Sequence, residues 1–412
     1  MDRVPVDYMR QDAVDCDKLF DDSATKGGEM KKIGIVIVGY GYIGKIHTLA
    51  LRQLPMIYPD SASDFELVGI CMRSKEKAKR AAAEAGCRSW YSDFENVLQD
   101  DDVNVVDLVT PNHLHLSMIE GAIGKGKHVI CEKPLSVTRY EAREIVNTVQ
   151  HSGVSLGMIF NYRFIPALMK AKEMIDKGLL GQIYNFRGEY YHTGYQNPER
   201  PLTWRMDIDK SGGGALVDMG VHVIDLVRHL LGDYESVQAM TETYISKRPV
   251  EKGSKEMGDV SVEDAAWLNV RLKSGARGSI EVSRFATGTL DDLNLILYGE
   301  KGALRFSLMD ANFLYWFDSA VHQPDPGLAG WQRLETGQAY PGAKLPTSRS
   351  IIGWTRFHTE NLYRFIRSVK DNTAFLPNEL DGYEAQAVLE AAYESSASGS
   401  WSKVKTWTEL ES

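Results

Sequence analysis

The first 160 residues carry five short apolar runs rich in Val, Ile and Leu, at Lys31–Val38, Phe65–Cys71, Val103–Val109, His128–Cys131 and Val154–Phe160. Their apolar positions are continuous rather than alternating, as in strands buried on both faces of a parallel sheet. Between them lie helix-compatible stretches: a glycine turn running on through Leu54, then Glu76–Ala85, Leu114–Gly124 and Arg139–His151. Strands alternating with helices predict a parallel sheet with right-handed crossovers.

After residue 160 the rhythm changes. A helix at Ala167–Lys177 gives way to strands at Ile183–Tyr191, Val237–Tyr244, Ala265–Leu272, Ala276–Phe285 and Leu293–Leu297. Successive strands without helices between them predict a largely antiparallel sheet. One helix, starting at Gly212-Gly213-Gly214, interrupts this series, and Gly299-Glu300-Lys301-Gly302 reads as a turn between two strands. Residues 317–352, with four prolines, are the least regular, and Phe357–Val369 and Tyr383–Ser396 have the apolar stripes of helices. The 412 residues suit two domains, divided as 30–155 and 156–412. Residues 1–29 are rich in Asp, follow neither period and lack a secretory h-region, so they read as a mobile N-terminal extension. Met30 before Lys31-Lys32 would make a natural start to the first strand.

Three motifs carry chemistry. The first strand runs into Gly39-Tyr40-Gly41-Tyr42-Ile43-Gly44. A G-x-G-x-x-G between a strand and a helix is the context in which it marks a Rossmann dinucleotide site. Gly39 would make the tight turn, Gly41 would admit the pyrophosphate and Gly44 would let helix pack on strand. The N–H groups at the helix start would face the phosphates. The fourth strand ends in Glu132-Lys133-Pro134, which places Lys133 at the ligand-binding edge of an open α/β sheet. The third motif sets Asp218 and His222 four residues apart after three glycines. On a helix, positions i and i+4 share a face, so a carboxylate and an imidazole can enter one pocket as orienting acid and base, with Asp225 close to the same stripe. The glycines would let the chain turn tightly and a ligand approach the backbone.

Composition narrows the classes. A hydrophobic share of 43% and a charged share of 25% suit a soluble globular protein. A net charge of −9 offers no basic surface for nucleic acid, and no apolar run approaches a membrane span. The four cysteines and ten histidines show no metal-ligand spacing, so no metal site is expected. Cys71 and Cys131 fall in buried strands, a usage that fits a reducing, cytoplasmic setting.

Taken in order, these segments resemble the Gfo/Idh/MocA oxidoreductases. The resemblance rests on Gly39/Gly41/Gly44, Thr110-Pro111-Asn112 with His115, Glu132-Lys133-Pro134, and Gly212-Gly213-Gly214 with Asp218, Gly220, His222 and Asp225, and it extends to Asp381–Trp401. It implies an α/β protein: an N-terminal Rossmann domain, then an α/β domain on an open, mostly antiparallel sheet. It further implies hydride transfer between nicotinamide and a ring carbinol of a sugar, glycoside or cyclic polyol. Matched residue by residue, Lys133, Asp218 and His222 take the catalytic places. An imidazole suits the hydroxyl proton, Asp218 would orient it and favour its protonated form, and Lys133 would stabilise the developing alkoxide.

Cofactor contacts are implied for Gly39, Gly41, Tyr42, Ile43, Gly44, Arg73, Ser74, Thr110, Pro111, Asn112, His115, Glu132 and Lys133. Substrate contacts are expected from Lys133, Tyr162, Arg163, His192, Trp204, Arg205, Lys210, Asp218 and His222, where aromatic faces and polar groups alternate. The second strand ends in Met72-Arg73-Ser74 rather than in the acid that holds the NAD ribose, which leaves NAD or NADP open with a lean to NADP. A homodimer or homotetramer formed through the second sheet is expected. Two alternatives remain: an NAD-dependent glycosidase that oxidises the ring transiently, and a non-catalytic dinucleotide sensor.

Overall fold

The computed structural model describes residues 32–320, 330–338 and 340–410, so the expected N-terminal extension lies outside the described residues. The first part of the fold comprises strands β1 (Ile33–Val38), β2 (Phe65–Cys71), β3 (Ser89–Tyr91), β4 (Val105–Leu108), β5 (His128–Cys131) and β6 (Leu156–Met158). Its helices are α1 (Tyr42–Ile57), α2 (Lys75–Ala85), α3 (Phe94–Leu98), α4 (His115–Gly124) and α5 (Arg139–Gln150). The strands form one parallel sheet in the order β3-β2-β1-β4-β5-β6. The chain leaves central β1 toward β2 on one side and β4 on the other, which opens a crevice at the strands' carboxyl ends. β1 shows why its sequence lacks alternation. Ile33, Ile35 and Ile37 enter one core, Val36 and Val38 the other, and all five are buried.

β6 pairs with β5, so the parallel sheet continues past the expected boundary at residue 155. The separation is also incomplete at the other end of the chain. Helix α9 (Trp354–Asp371) buries Leu362, Phe365 and Ile366 in the same core as Leu51 and Leu54 of α1. A hydrophobic face has no means of respecting sequence order, and the uncovered side of this sheet is closed by a helix that begins 297 residues after α1 ends.

The second sheet takes α6 (Pro166–Asp176), β7 (Ile183–His192), α7 (Ile208–Ser211), α8 (Val221–Leu231), β8 (Tyr234–Glu242), a small hairpin of β9 (Lys247–Pro249) and β10 (Met257–Asp259), β11 (Ala265–Leu272), β12 (Arg277–Ser283), β13 (Asp291–Gly299), β14 (Gly302–Ser307), β15 (Phe313–Asp318) and β16 (Gln332–Glu335). Helix α10 (Glu379–Ser398), β17 (Ser402–Lys403) and α11 (Trp407–Leu410) complete the described chain. Nine strands form the sheet β16-β15-β14-β13-β7-β12-β11-β8-β17. Every pairing is antiparallel except β7 with β12, which are brought together by a long connection rather than a hairpin. The segment read as irregular contains β16 at the sheet's edge. Among the described residues no helix is long and apolar enough to cross a membrane.

Candidate active site

A cleft of about 790 Å³ opens at the carboxyl ends of β1, β2, β4 and β5 and is closed from the other side by α8, β7 and α9. At one end is the glycine loop. Gly39 takes a φ of +102°, and a Cβ built there would meet the Val109 carbonyl oxygen at 2.6 Å. On Gly44 a Cβ would meet the Gly39 carbonyl oxygen at 2.5 Å. On Gly41 nothing lies within 4 Å, because its free side faces the cleft. Helix α1 then begins on Gly41 with no side-chain cap and no acid in its first turn, whereas α2, α5 and α10 are capped by Ser74, Thr138 and Asn378. Uncapped N–H groups and a positive dipole end at an open glycine form a cradle for an anionic group, and a dinucleotide pyrophosphate fits it.

Thr110, Pro111 and Asn112 line the cleft beside this loop, and the Asn112 amide donates to the Ser211 carbonyl at 2.7 Å. His115 does not line it. Fully buried, its ring nitrogens lie 3.0 Å from the Pro134 carbonyl and 3.2 Å from that of Thr110, so it ties two cleft loops together from behind. Arg73 reaches the cleft at the end of β2, while Ser74 caps α2 and turns away.

At the other end, Lys133 meets Asp218. The ammonium donates to the Asp218 main-chain carbonyl at 2.5 Å and to its carboxylate at 3.1 Å. Asp218 lies in a single π-helical turn, Leu216–Gly220, that feeds α8. Its second carboxylate oxygen accepts from Arg284 at 3.2 Å. Burial pushes the Asp218 carboxyl up, but Lys133, Arg284 and Arg205 overcome this and hold it well below the usual carboxylate range.

His222, one turn on, lines the same cleft, and its ring packs against Tyr162 and Tyr190 at centroid distances of 4.7 and 6.1 Å. Its Nδ1 is buried with no hydrogen-bond partner among the described residues. Burial, joined by the Lys133 charge, drives its pKa well below 6.5. The Asp218 charge favours the protonated ring, as expected, but burial and Lys133 outweigh it. The Asp218 carboxylate is held by Lys133 and Arg284, and the ring packs against Tyr162 and Tyr190.

Other expected residues separate into two groups. Tyr162, His192, Trp204 and Arg205 line the cleft. The Tyr162 hydroxyl is 2.7 Å from that of Tyr190 and accepts from the Trp354 indole at 3.3 Å. Arg163 and Lys210 do not line it. The Arg163 guanidinium is buried against Asp225 at 2.5 and 2.8 Å and Asp381 at 2.9 Å, locking α8 to α10. That pairing also takes Asp225 off the stripe of Asp218 and His222. Lys210 is exposed and pairs with Asp207 at 2.5 Å.

Each of the three glycines before Asp218 makes a close protein contact, and the Gly213 backbone also lines the cleft. A Cβ on Gly212 would meet the Val137 carbonyl oxygen at 2.7 Å, on Gly213 the Tyr393 hydroxyl at 1.9 Å, and on Gly214 the Glu263 carbonyl oxygen at 1.8 Å.

Several cleft residues were not singled out from sequence: Tyr190, Tyr195, Arg200, Arg284, Trp354 and His358. Tyr190 and Tyr195 stand in an aromatic-rich stretch that runs to Trp204, and the others carry no local signal. Behind Glu132, ligand-type atoms of His47, Glu132 and His358 lie within 4.8 Å of one another, a grouping from three distant segments that no spacing rule detects. His47 is also 2.9 Å from Asp107. Burial opposes its charge, yet Asp107 and Glu132 raise its pKa to about 10. Burial likewise opposes ionisation of Glu132, which His47 nonetheless holds down to about 2. These two therefore form an ion pair beside a neutral His358, whose pKa burial lowers to about 3.

Comparison with known proteins agrees with this layout. Residues 33–160 match the model of the oxidoreductase family with an NAD-binding Rossmann fold, and residues 168–305 match the GFO/IDH/MocA C-terminal domain. The levoglucosan dehydrogenase of Pseudarthrobacter phenanthrenivorans is 32% identical over 90% of this chain and 98% of its own length. The glucose-6-phosphate 3-dehydrogenase of Bacillus subtilis is 27% identical over 89% of this chain and 96% of its own. A solved structure of levoglucosan dehydrogenase in complex with NADH superposes with a TM-score of 0.86 at 31% identity, covering 91% of this chain and 100% of that one. The glycine cradle, the strand-end lysine and the two-sheet architecture thus have one common explanation: this chain belongs to the Gfo/Idh/MocA family of NAD-binding oxidoreductases.

Proposed function

We propose that the protein is an NAD(H)-dependent dehydrogenase that oxidises a ring carbinol of a sugar, glycoside or cyclic polyol. The observation that carries this reading is the meeting of Lys133 with Asp218, beside His222, in the cleft that also contains the uncapped start of α1. Bound NAD would accept the hydride. The remaining task is to take a proton from the hydroxyl and hold the oxygen as it becomes anionic. His222, buried and neutral, is the group available to take that proton. Lys133 donates to the same oxygen and stabilises its charge. Asp218 keeps the ammonium in place through two hydrogen bonds and stays anionic throughout. Tyr162, His192 and Trp204 supply a mixed aromatic and polar wall suited to a sugar ring. The test is a panel of inositols, free sugars and anhydro sugars with NAD and NADP, read by absorbance at about 340 nm. Turnover of none of them would remove the reading.

The NADH complex of the relative favours NAD over the lean to NADP drawn from Met72-Arg73. Arg73 nevertheless stands exposed at the end of β2, where a 2′-phosphate would come. Arg73→Ala is expected to weaken NADP by about 1.5–3 kcal/mol, the worth of a charge-assisted hydrogen bond, and NAD much less. Equal losses in calorimetry would assign Arg73 to the adenine instead.

As part of the same proposal, the second sheet pairs with a copy of itself. Its outer face presents Met240, 58% exposed, opposite half-buried Trp267, with polar side chains such as Asn269 and Glu281 around them and Tyr298, 41% exposed, three strands away on β13. A self-complementary face of this kind closes by two-fold pairing. Trp267→Arg is expected to shift the mass by light scattering from dimer or tetramer toward monomer, and a monomeric parent protein would end the proposal. Cys71, Cys87 and Cys131 are free thiols, which supports a reducing, cytoplasmic setting.

A further inference from the structure

Lys133, Asp218 and His222 all depend on one short segment. Lys133 binds both the carboxylate and the main-chain carbonyl of Asp218, so the π-helical turn sets the ammonium as well as the acid. His222 follows two residues after that turn ends. A π turn holds one residue more than an α turn, and losing that residue would rotate the preceding side chains by about 100° relative to α8. Its register therefore decides whether the three groups face each other.

The turn has no local side-chain cap. Its opening N–H groups are instead met from almost fifty residues away, by Glu263 in the loop ahead of β11. The Glu263 carboxylate accepts from the Gly214 N–H at 2.9 and 3.0 Å and from the Leu216 N–H at 2.8 Å. Its main-chain carbonyl accepts from the Ala215 N–H at 3.0 Å. From α10, the Tyr393 hydroxyl donates to both carboxylate oxygens at 3.1 Å. Arg284 closes the arrangement, donating to the Gly214 carbonyl at 3.0 Å and to Asp218 at 3.2 Å. The contacts at Gly213 and Gly214 follow from it, because Tyr393 and Glu263 occupy the space that side chains there would need. Neither Glu263 nor Tyr393 lines the cleft.

We propose that Glu263, held by Tyr393, is a positioning residue that sets the register of the turn carrying Asp218 and so brings Lys133, Asp218 and His222 together. This rests on the dehydrogenase reading of the same site. A buried carboxylate that takes the Gly214 and Leu216 N–H groups, with its own main-chain carbonyl taking that of Ala215 between them, acts as an N-cap supplied by the tertiary fold, and it stiffens the turn against unwinding to a regular α-helix.

The experiment compares Glu263→Gln, Glu263→Leu, Tyr393→Phe and His222→Ala with the parent enzyme on the substrate it turns over best. Glu263→Leu is expected to lower kcat by about 10²-fold, the effect of a misplacement of about 1 Å at a reacting centre. Glu263→Gln keeps an acceptor for the backbone N–H groups and is expected to lose less, with Tyr393→Phe between it and the parent. Affinity for NADH, measured by its fluorescence, is expected to stay unchanged in all three, and the acid limb of the pH profile of kcat/KM is expected to move. A fall in Tm with kcat and pH profile unchanged would make Glu263 merely structural and overturn the inference. If Glu263→Leu does not fold, parental kcat and pH profile in both Glu263→Gln and Tyr393→Phe overturn it equally. His222→Ala separates the two readings. If it is inactive while the Glu263 and Tyr393 variants behave like the parent, only the positioning inference falls. Full turnover in His222→Ala removes the site reading itself.

Discussion

His222→Ala is expected to lower kcat for alcohol oxidation by about 10²–10⁴-fold, the usual worth of a positioned general base. The expectation follows from two features of the ring. It is buried against Tyr162 and Tyr190, which fix its orientation, and its Nδ1 has no protein hydrogen bond among the described residues. The pH profile gives the sharper check. The pKa of His222 lies well below 6.5, pushed down by burial and then by Lys133. A group that must be neutral to act loses activity only when pH falls through its pKa. The acid limb of kcat/KM is therefore expected below pH 6.5, with no change on that side as pH rises from there to neutrality, and it should vanish in the variant. Lys133→Ala should be comparably severe, because it removes the donor to the reacting oxygen and leaves the Asp218 carboxylate with Arg284 alone. His222→Ala should bind NADH normally, since His222 is not among the implied cofactor contacts. Near-parental turnover with the same acid limb in His222→Ala would show that the base lies elsewhere.

The second large effect is expected at Gly41. Gly41→Val should abolish dinucleotide binding in calorimetry while leaving Tm close to that of the parent. The reasoning is steric. The three fingerprint glycines face different neighbours, and a Cβ on Gly39 or Gly44 would strike backbone, at 2.6 and 2.5 Å. On Gly41 it meets nothing within 4 Å, so added atoms would project into the cleft over the free N–H groups of α1 without disturbing the core. Gly44→Val makes the contrast, with unfolding as its primary defect. Unchanged NADH affinity in Gly41→Val would contradict the assignment of the loop to the pyrophosphate.

Much of this protein is decided within short stretches of sequence. Strand β2 falls exactly on the predicted run, and β1, β5 and helices α2 and α5 fall within two residues of theirs, because a doubly buried strand must be apolar throughout and a covering helix must keep its stripe. The glycine fingerprint and the lysine at the end of β5 were legible for the same reason: each is a local pattern whose geometry is set by the few residues around it.

What lay outside such patterns was decided by the tertiary structure. Arg163 read as a cleft residue, yet two carboxylates, one of them over 200 positions away, draw it into the interior, since a buried guanidinium must be paired. Asp218 read as the partner of His222, yet Lys133 and Arg284 arrive from two other elements and outbid an uncharged ring for its oxygens. The three glycines read as room for a ligand, yet that room is filled by Glu263, Tyr393 and Val137. Trp354 and His358 enter the cleft only because α9 returns to cover the first sheet. Periodicity and motif spacing encode what neighbours along the chain can do. Charge pairing and close contact between distant segments depend on distances that exist only once both sheets are packed.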